Sequence, residues 1–171
     1  LAAGHLWVFS NEIDVAQTPL TAFQPGDLVR IFNDREKFIG YAYVNPRSLI
    51  AARILSRNEG APPGRDLLVK RLHTALALRR RLADEPYYRL VFGESDLLPG
   101  LVIDRYGDVL VGEIGTAGME RMKDDILWAL RKVVDPKAVL WKNDVASREF
   151  EGLPAYIETA LGEVPDTVTV R

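Results

Sequence analysis

Three carboxylates lie close together in the string FGESDLLPGLVIDRY, which runs from residue 92 to residue 106: Glu94, Asp96 and Asp104. Carboxylates beside a tight turn, here Pro99-Gly100, are typical of acid–base or metal chemistry. Acid–base catalysis, however, requires two carboxylates that reach the same substrate and whose own pKa values differ. Proximity in sequence does not provide this. We therefore predict no catalytic residue and assign these carboxylates, with Arg105, to turn and domain contacts. The alternative is a carboxylate-dependent hydrolase.

Other common kinds of reactive site are missing from the sequence. The chain has no Cys, so it cannot supply a thiolate nucleophile, a thiolate metal ligand or a disulfide. His5 and His73 are the only histidines, and neither has a partner at metal-ligand spacing, so we expect structural roles for both and no metal site. No glycine-rich phosphate-binding motif joins a strand to a helix. We predict no cofactor site within this chain.

Positive charge is concentrated in the middle of the chain. Residues 47–81 contain nine basic residues against two acidic ones, although the whole chain has a net charge of −2. A locally basic surface favours an anionic polymer such as RNA. The alternative is a solvated helix face whose basic residues lie near the C-terminal end of the helix dipole. The candidate RNA-binding residues are Arg47, Arg53, Arg57, Lys70, Arg71, Arg79, Arg80 and Arg81.

The elements that position these residues change type along the chain. Short runs rich in branched and aromatic residues at 6–9, 28–32, 38–44 and 49–55 predict strands, and turn residues between them indicate a small β-barrel. Trp7 is expected to fill its core. Apolar residues at helical spacing predict a helix over 66–84, with Asp66 as N-cap.

The last part of the chain predicts a second α+β unit. Strands are expected at 90–92, 101–105 and 109–114, with a hairpin turn at 106–108. A helix capped by Thr116 runs to residue 134, and strands follow at 138–142 and 167–171. The fold class is therefore α+β. No apolar run approaches the roughly 20 residues that span a bilayer, so we expect no membrane partner and a cytoplasmic location.

Five strings in order carry a family resemblance: HLWVFSNEI, PGDLVRIF, FIGYAYVNPRSLIAARIL, FGESDLLPGLVIDRYGDVLV and WKNDVASREFEGL. Together they resemble the N-terminal part of bacterial S-adenosylmethionine (SAM)-dependent large-subunit rRNA cytosine-5 methyltransferases. The similar pattern often has Pro where this chain has Leu6. Nearly the whole chain is covered.

The resemblance implies a PUA-like RNA-binding barrel over residues 1–64, a connecting basic helix over 65–86 and a β-β-α-β-β accessory domain over 87–171. It also implies SAM as the cofactor of the parent protein, and two partners, RNA of ribosomal origin and a C-terminal methyltransferase domain. Cytosine-5 methylation needs a thiolate, so the sequence is expected to be a fragment that positions RNA for a missing catalytic domain. A stand-alone RNA-binding protein and a protein–protein module remain alternatives.

Overall fold

The computed structural model describes residues 4–169, whose strands form two sheets. The first sheet has the order β1-β4-β3-β2 and is antiparallel throughout. Its strands are β1 (Trp7–Val8), β2 (Leu28–Phe32), β3 (Phe38–Val44) and β4 (Ala52–Ser56).

The predicted closed barrel is not found among residues 4–169. The strands β1 and β2 are the two edges of an open sheet and do not pair with each other. β1 has only two residues, and the segment between β1 and β2 forms two short 3₁₀ helices, Ser10–Glu12 and Leu20–Ala22, so no strand bridges the two edges. The bounds predicted for β2 and β3 are confirmed.

An 18-residue helix, α1 (Arg65–Leu82), follows the first sheet. Its predicted apolar stripe is confirmed, since Leu68, Leu72, Ala75 and Leu76 are all buried. The predicted N-cap is wrong, because Gly64 occupies that position. Asp66 lies one position inside the first turn, where a carboxylate favours the helix dipole.

The second sheet has the order β5-β6-β7-β8-β9, and only the β7–β8 pair is parallel. Two helices, α2 and α3, make the crossover between these parallel strands, and a short helix, α4, precedes β9. The bounds are β5 (Tyr87–Phe92), β6 (Leu101–Tyr106), β7 (Val109–Ile114), α2 (Ala117–Arg121), α3 (Lys123–Val133), β8 (Ala138–Asn143), α4 (Ser147–Phe150) and β9 (Tyr156–Leu161).

Several predictions for this unit differ from the structure. β5 begins at Tyr87, three residues before the predicted strand, and three strands, not the two of a β-β-α-β-β unit, precede the helices. The single helix expected up to residue 134 is divided at Met122, which separates α2 from α3. The last strand is β9, whereas residues 167–169 of the predicted strand are irregular and residues 170–171 lie outside the described residues. β9 is largely exposed, so it lacks the apolar alternation that marks a half-buried strand.

The larger hydrophobic core connects the two sheets. It contains Tyr43 and Leu55 from the first sheet, the apolar stripe of α1, and the inner faces of β5–β8 and α3. A smaller cluster around Ile54 and Val44 lies within the first sheet. Helix α1 is thus a packed part of the core and contacts α3 and β5. In residues 4–169, no helix has both the length and the apolar composition needed to cross a membrane.

Candidate nucleic-acid interface

Two carboxylates of the FGESDLLPGLVIDRY string attach a 3₁₀ turn, Gly93–Asp96, to other elements. Asp96 accepts two hydrogen bonds from the guanidinium of Arg79 on α1, at 2.7 and 2.6 Å. It also accepts the backbone N–H of Phe92 at 2.7 Å. Glu94 accepts the indole N–H of Trp7 on β1 at 2.7 Å. Both carboxylates therefore make long-range contacts.

The other two predicted contact residues act inside the second sheet. Asp104 accepts two hydrogen bonds from Arg89, its cross-strand partner on β5, at 2.8 and 3.0 Å. Arg105 donates to the carbonyl of Gly107 at 2.8 Å and to the hydroxyl of Tyr88 at 3.2 Å. The three carboxylates of the string thus hold three different partners and do not converge on one substrate position, so the geometry gives the hydrolase alternative no acid–base centre.

Three of the eight candidate RNA-binding side chains are engaged inside the protein. Arg53 pairs with the buried carboxylate of Glu151 at 2.9 Å. Arg71 donates to the backbone carbonyls of Leu55 and Leu97, and burial lowers its pKa to about 10. Arg79 holds Asp96, as described above. These three guanidinium groups therefore donate hydrogen bonds to acceptors within the protein.

The other five candidates are exposed, and three of them, Lys70, Arg80 and Arg81, lie on α1. Lys70 and Arg81 are separated by eleven residues, a spacing that places them on one face of the helix, with Arg80 beside them. Arg57 donates to the carbonyl of His5 at 2.7 Å and remains open to solvent. The exposed basic set is Arg47, Arg57, Lys70, Arg80 and Arg81.

A cleft of about 360 Å³ is lined by residues of β1 and the segment before it, and by residues of the Gly93–Asp96 turn and Leu97. Trp7 was expected in the core, but it is only half-buried and lines this cleft. The rings of His5 and Trp7 meet edge to face at 5.4 Å, and Phe9 lies 6.3 Å from Trp7. The lining residues are Gly4, His5, Leu6, Trp7, Glu94, Ser95 and Leu97.

A buried polar network, which was not predicted from the sequence, connects the two sheets. Glu151 is 4% exposed and accepts hydrogen bonds from Arg53 at 2.9 Å, from Asn45 at 2.7 Å and from the backbone N–H of Ala117 at 3.3 Å. Nearby, the buried Arg148 pairs with Glu120 at 2.8 Å. Arg148 and Glu151 belong to the WKNDVASREFEGL string, and these two charged residues are buried in the contact between the sheets.

The turn between β7 and α2 has the strand–glycine–helix order at which nucleotide cofactors bind in Rossmann folds. Here the space is filled by protein, since a Cβ on Gly118 would lie 2.0 Å from the ring of Tyr43. The first N–H of α2 is already bonded to Glu151. The residues at this turn therefore do not fit SAM. Within residues 4–169, no group of three or more Asp, Glu or His side chains is arranged to hold a metal.

In comparisons with known proteins, a family model described as a PUA-like domain matches residues 1–57 of this chain. The chain is 36% identical to a protein named ribosomal RNA large subunit methyltransferase I from Alteromonas mediterranea, over 98% of this chain and 42% of that protein. A protein of the same name from Erwinia tasmaniensis is also 36% identical, over 94% of this chain and 41% of its own length. The chain is thus homologous to these proteins and spans about two-fifths of their length.

Solved structures share the fold. A protein from Streptococcus mutans, described as a SAM-dependent methyltransferase, superposes with a TM-score of 0.73 over 94% of this chain and 40% of its own. A methyltransferase complexed with SAH gives a TM-score of 0.76 over 96% of this chain and 40% of its own. Both are 18% identical to this chain, so the likeness shows the fold alone.

Proposed function

We propose that this chain is the RNA-binding and accessory region of a SAM-dependent rRNA methyltransferase of the cytosine-5 type. Its role is to position ribosomal RNA for a catalytic domain elsewhere in the parent protein, in the cytoplasm. The homology to ribosomal RNA methyltransferases and the PUA-like domain support this role. SAM and the thiolate nucleophile would be supplied by the catalytic domain, since this chain has no Cys and its β7–α2 turn is filled by Tyr43.

The observation that carries the proposal is the exposed basic set on and beside α1. Lys70, Arg80 and Arg81 are exposed to solvent. Their neighbours Arg71 and Arg79 make hydrogen bonds inside the protein. Exposed cations contact phosphates and release counterions, so they contribute affinity that depends on salt and little on base sequence. On duplex RNA they would follow the A-form backbone.

The test is RNA binding by the chain at several salt concentrations. The double variant Arg80→Ala/Arg81→Ala removes two exposed charges and is expected to reduce the slope of log K against log salt by about 1.5. The matched control is Arg131→Ala/Lys132→Ala, which removes two exposed charges from the last turn of α3.

The proposal requires that the first variant lose affinity and salt slope while the control keeps both. Equal losses in the two variants would indicate attraction by net charge alone. An unchanged slope in the first variant would remove α1 from the interface, and no RNA binding by the unmodified chain would refute the RNA-binding role.

A further inference from the structure

The cleft beside β1 combines aromatic walls with a hydrogen-bond acceptor. His5, Trp7 and Phe9 alternate along the chain, and their rings cluster at one sheet edge, with His5 and Phe9 inclined by only 27° to each other. The same cleft is lined by the carboxylate of Glu94, which is bonded to the indole N–H of Trp7 at 2.7 Å, and by the exposed Ser95. The volume, about 360 Å³, lies at the lower end of the range for small-molecule pockets.

The segment that carries Glu94 is attached to α1 by hydrogen bonds on both Asp96 and Leu97. Arg79 binds Asp96 with two hydrogen bonds, and Arg71 donates to the carbonyl of Leu97. The side chain of Leu97 is half exposed at the cleft, and its backbone is left-handed with φ 60°. The two arginines that are unavailable for RNA phosphates therefore fix the position of the carboxylate that faces Trp7.

The chemistry of the cleft selects a class of ligand. An aromatic surface stacks on any nucleobase and contributes about 1–3 kcal/mol per base. A carboxylate has about four acceptor sites on its two oxygens, of which the indole N–H of Trp7 occupies one on Glu94. It can therefore accept further N–H donors from a base, but it repels bases that present a lone pair at the same position. Arg57, which is bonded to His5 at the cleft, adds a cation for the adjoining phosphate.

We propose that this cleft binds one unpaired guanine of the RNA, stacked on the aromatic cluster with its Watson–Crick edge toward Glu94. Guanine presents two adjacent donors, N1–H and the N2 amino group, whereas adenine and cytosine place an acceptor beside their amino group and uracil has one donor between two carbonyls. The base must be unpaired because pairing occupies this edge. The inference rests on the RNA-binding role proposed above and names the base that the chain reads.

The test compares short single-stranded RNAs bound to the chain at one salt concentration. We expect UUGUU to bind on the order of tenfold more tightly than UUUUU and UUAUU, the discrimination typical of a bidentate contact. Inosine in place of guanine removes the N2 donor, so UUIUU should bind with intermediate affinity. Equal affinities for all four RNAs would overturn the proposal.

Two substitutions assign the preference to the cleft. Glu94→Gln keeps an oxygen acceptor for Trp7 but loses the charge and one acceptor oxygen, so it should lower the ratio of the UUGUU affinity to the UUUUU affinity from about tenfold to about one. Glu85→Gln, at an exposed carboxylate between α1 and β5, is the matched control and should keep the preference. Trp7→Ala should weaken binding of every RNA about tenfold through lost stacking, with thermal unfolding used to show that each variant is folded.

The outcomes separate this inference from the proposed function. If Glu94→Gln retains the guanine preference, the cleft is not the reader, although salt-dependent binding through α1 still stands. If UUGUU and UUUUU bind equally while longer RNA binds with the expected salt slope, only the cleft proposal fails. If no RNA binds at all, both fail.

Discussion

Neighbouring arginines on α1 differ in their surroundings: Arg79 is nearly buried and paired inside the protein, whereas Arg80 is exposed. The Arg79 side chain is 14% exposed and makes two hydrogen bonds to Asp96, whose side chain is 6% exposed. Arg80, the next residue, points to solvent. A sequence shows three consecutive arginines as one basic run, because the helical rotation that separates them becomes decisive only when the packing partners are known.

The Arg79–Asp96 pair provides a residue-scale prediction for stability. Arg79→Ala would leave the Asp96 carboxylate nearly buried without its counter-ion, which costs about 3 kcal/mol. Arg80→Ala, the matched control, should change the free energy of unfolding by less than about 0.5 kcal/mol. Urea unfolding of both variants measures the difference. Similar small effects in the two variants would show that Asp96 does not depend on Arg79.

At the scale of elements, the connection between β7 and α2 is built around an aromatic ring from the other sheet. Tyr43 on β3 donates its hydroxyl hydrogen to the carbonyl of Pro99 at 2.7 Å and accepts a hydrogen bond from the hydroxyl of Thr116 at 3.0 Å. Its ring lies against Gly118 of α2, where a larger side chain would collide. The small residue in α2 is therefore required by a tertiary contact and not by the helix itself.

Gly118→Ala tests this contact. Alanine favours a helix over glycine by about 1 kcal/mol, but the added Cβ would lie 2.0 Å from the ring of Tyr43. We expect a net loss of about 2 kcal/mol, in the usual range for overpacking. The control is Gly115→Ala, whose Cβ would lie 3.5 Å from its nearest neighbour. Net stabilisation by Gly118→Ala would mean that Tyr43 can move away at little cost.

The sequence predicted the elements whose patterns are local. Strands β2, β3 and β7 follow from local runs of branched and aromatic residues between turns, and the buried stripe of α1 follows from helical spacing. The half-buried placement of Trp7 could not be predicted in this way, because it depends on Glu94, which is 87 residues away. For the same reason, the basic residues of α1 could be read from the sequence, but which of its arginines are exposed and which are internal could not.

At the scale of the whole molecule, the two sheets are joined by buried polar contacts as well as by the shared core. Glu151 binds Arg53 and Asn45 of the first sheet unit and Ala117 of the second. Because the larger hydrophobic core also includes Tyr43, neither sheet can separate without exposing buried groups. We infer that the described part of the chain unfolds as one cooperative unit, in which the cleft beside β1 keeps a fixed shape.

Alkaline unfolding tests this coupling through Tyr43. Burial raises the pKa of its hydroxyl above the ordinary value, so the folded state keeps the proton that the unfolded chain releases above about pH 10. The contribution of the Tyr43 hydroxyl to the free energy of unfolding is fully present below that pH and is lost as the pH rises further. Tyr43→Phe should cost about 1 kcal/mol at neutral pH through its lost hydrogen bonds but should flatten the alkaline loss. Ile54→Val, a core substitution of similar cost, should keep the steep alkaline loss, and identical pH profiles for the two variants in urea unfolding would contradict the role of Tyr43.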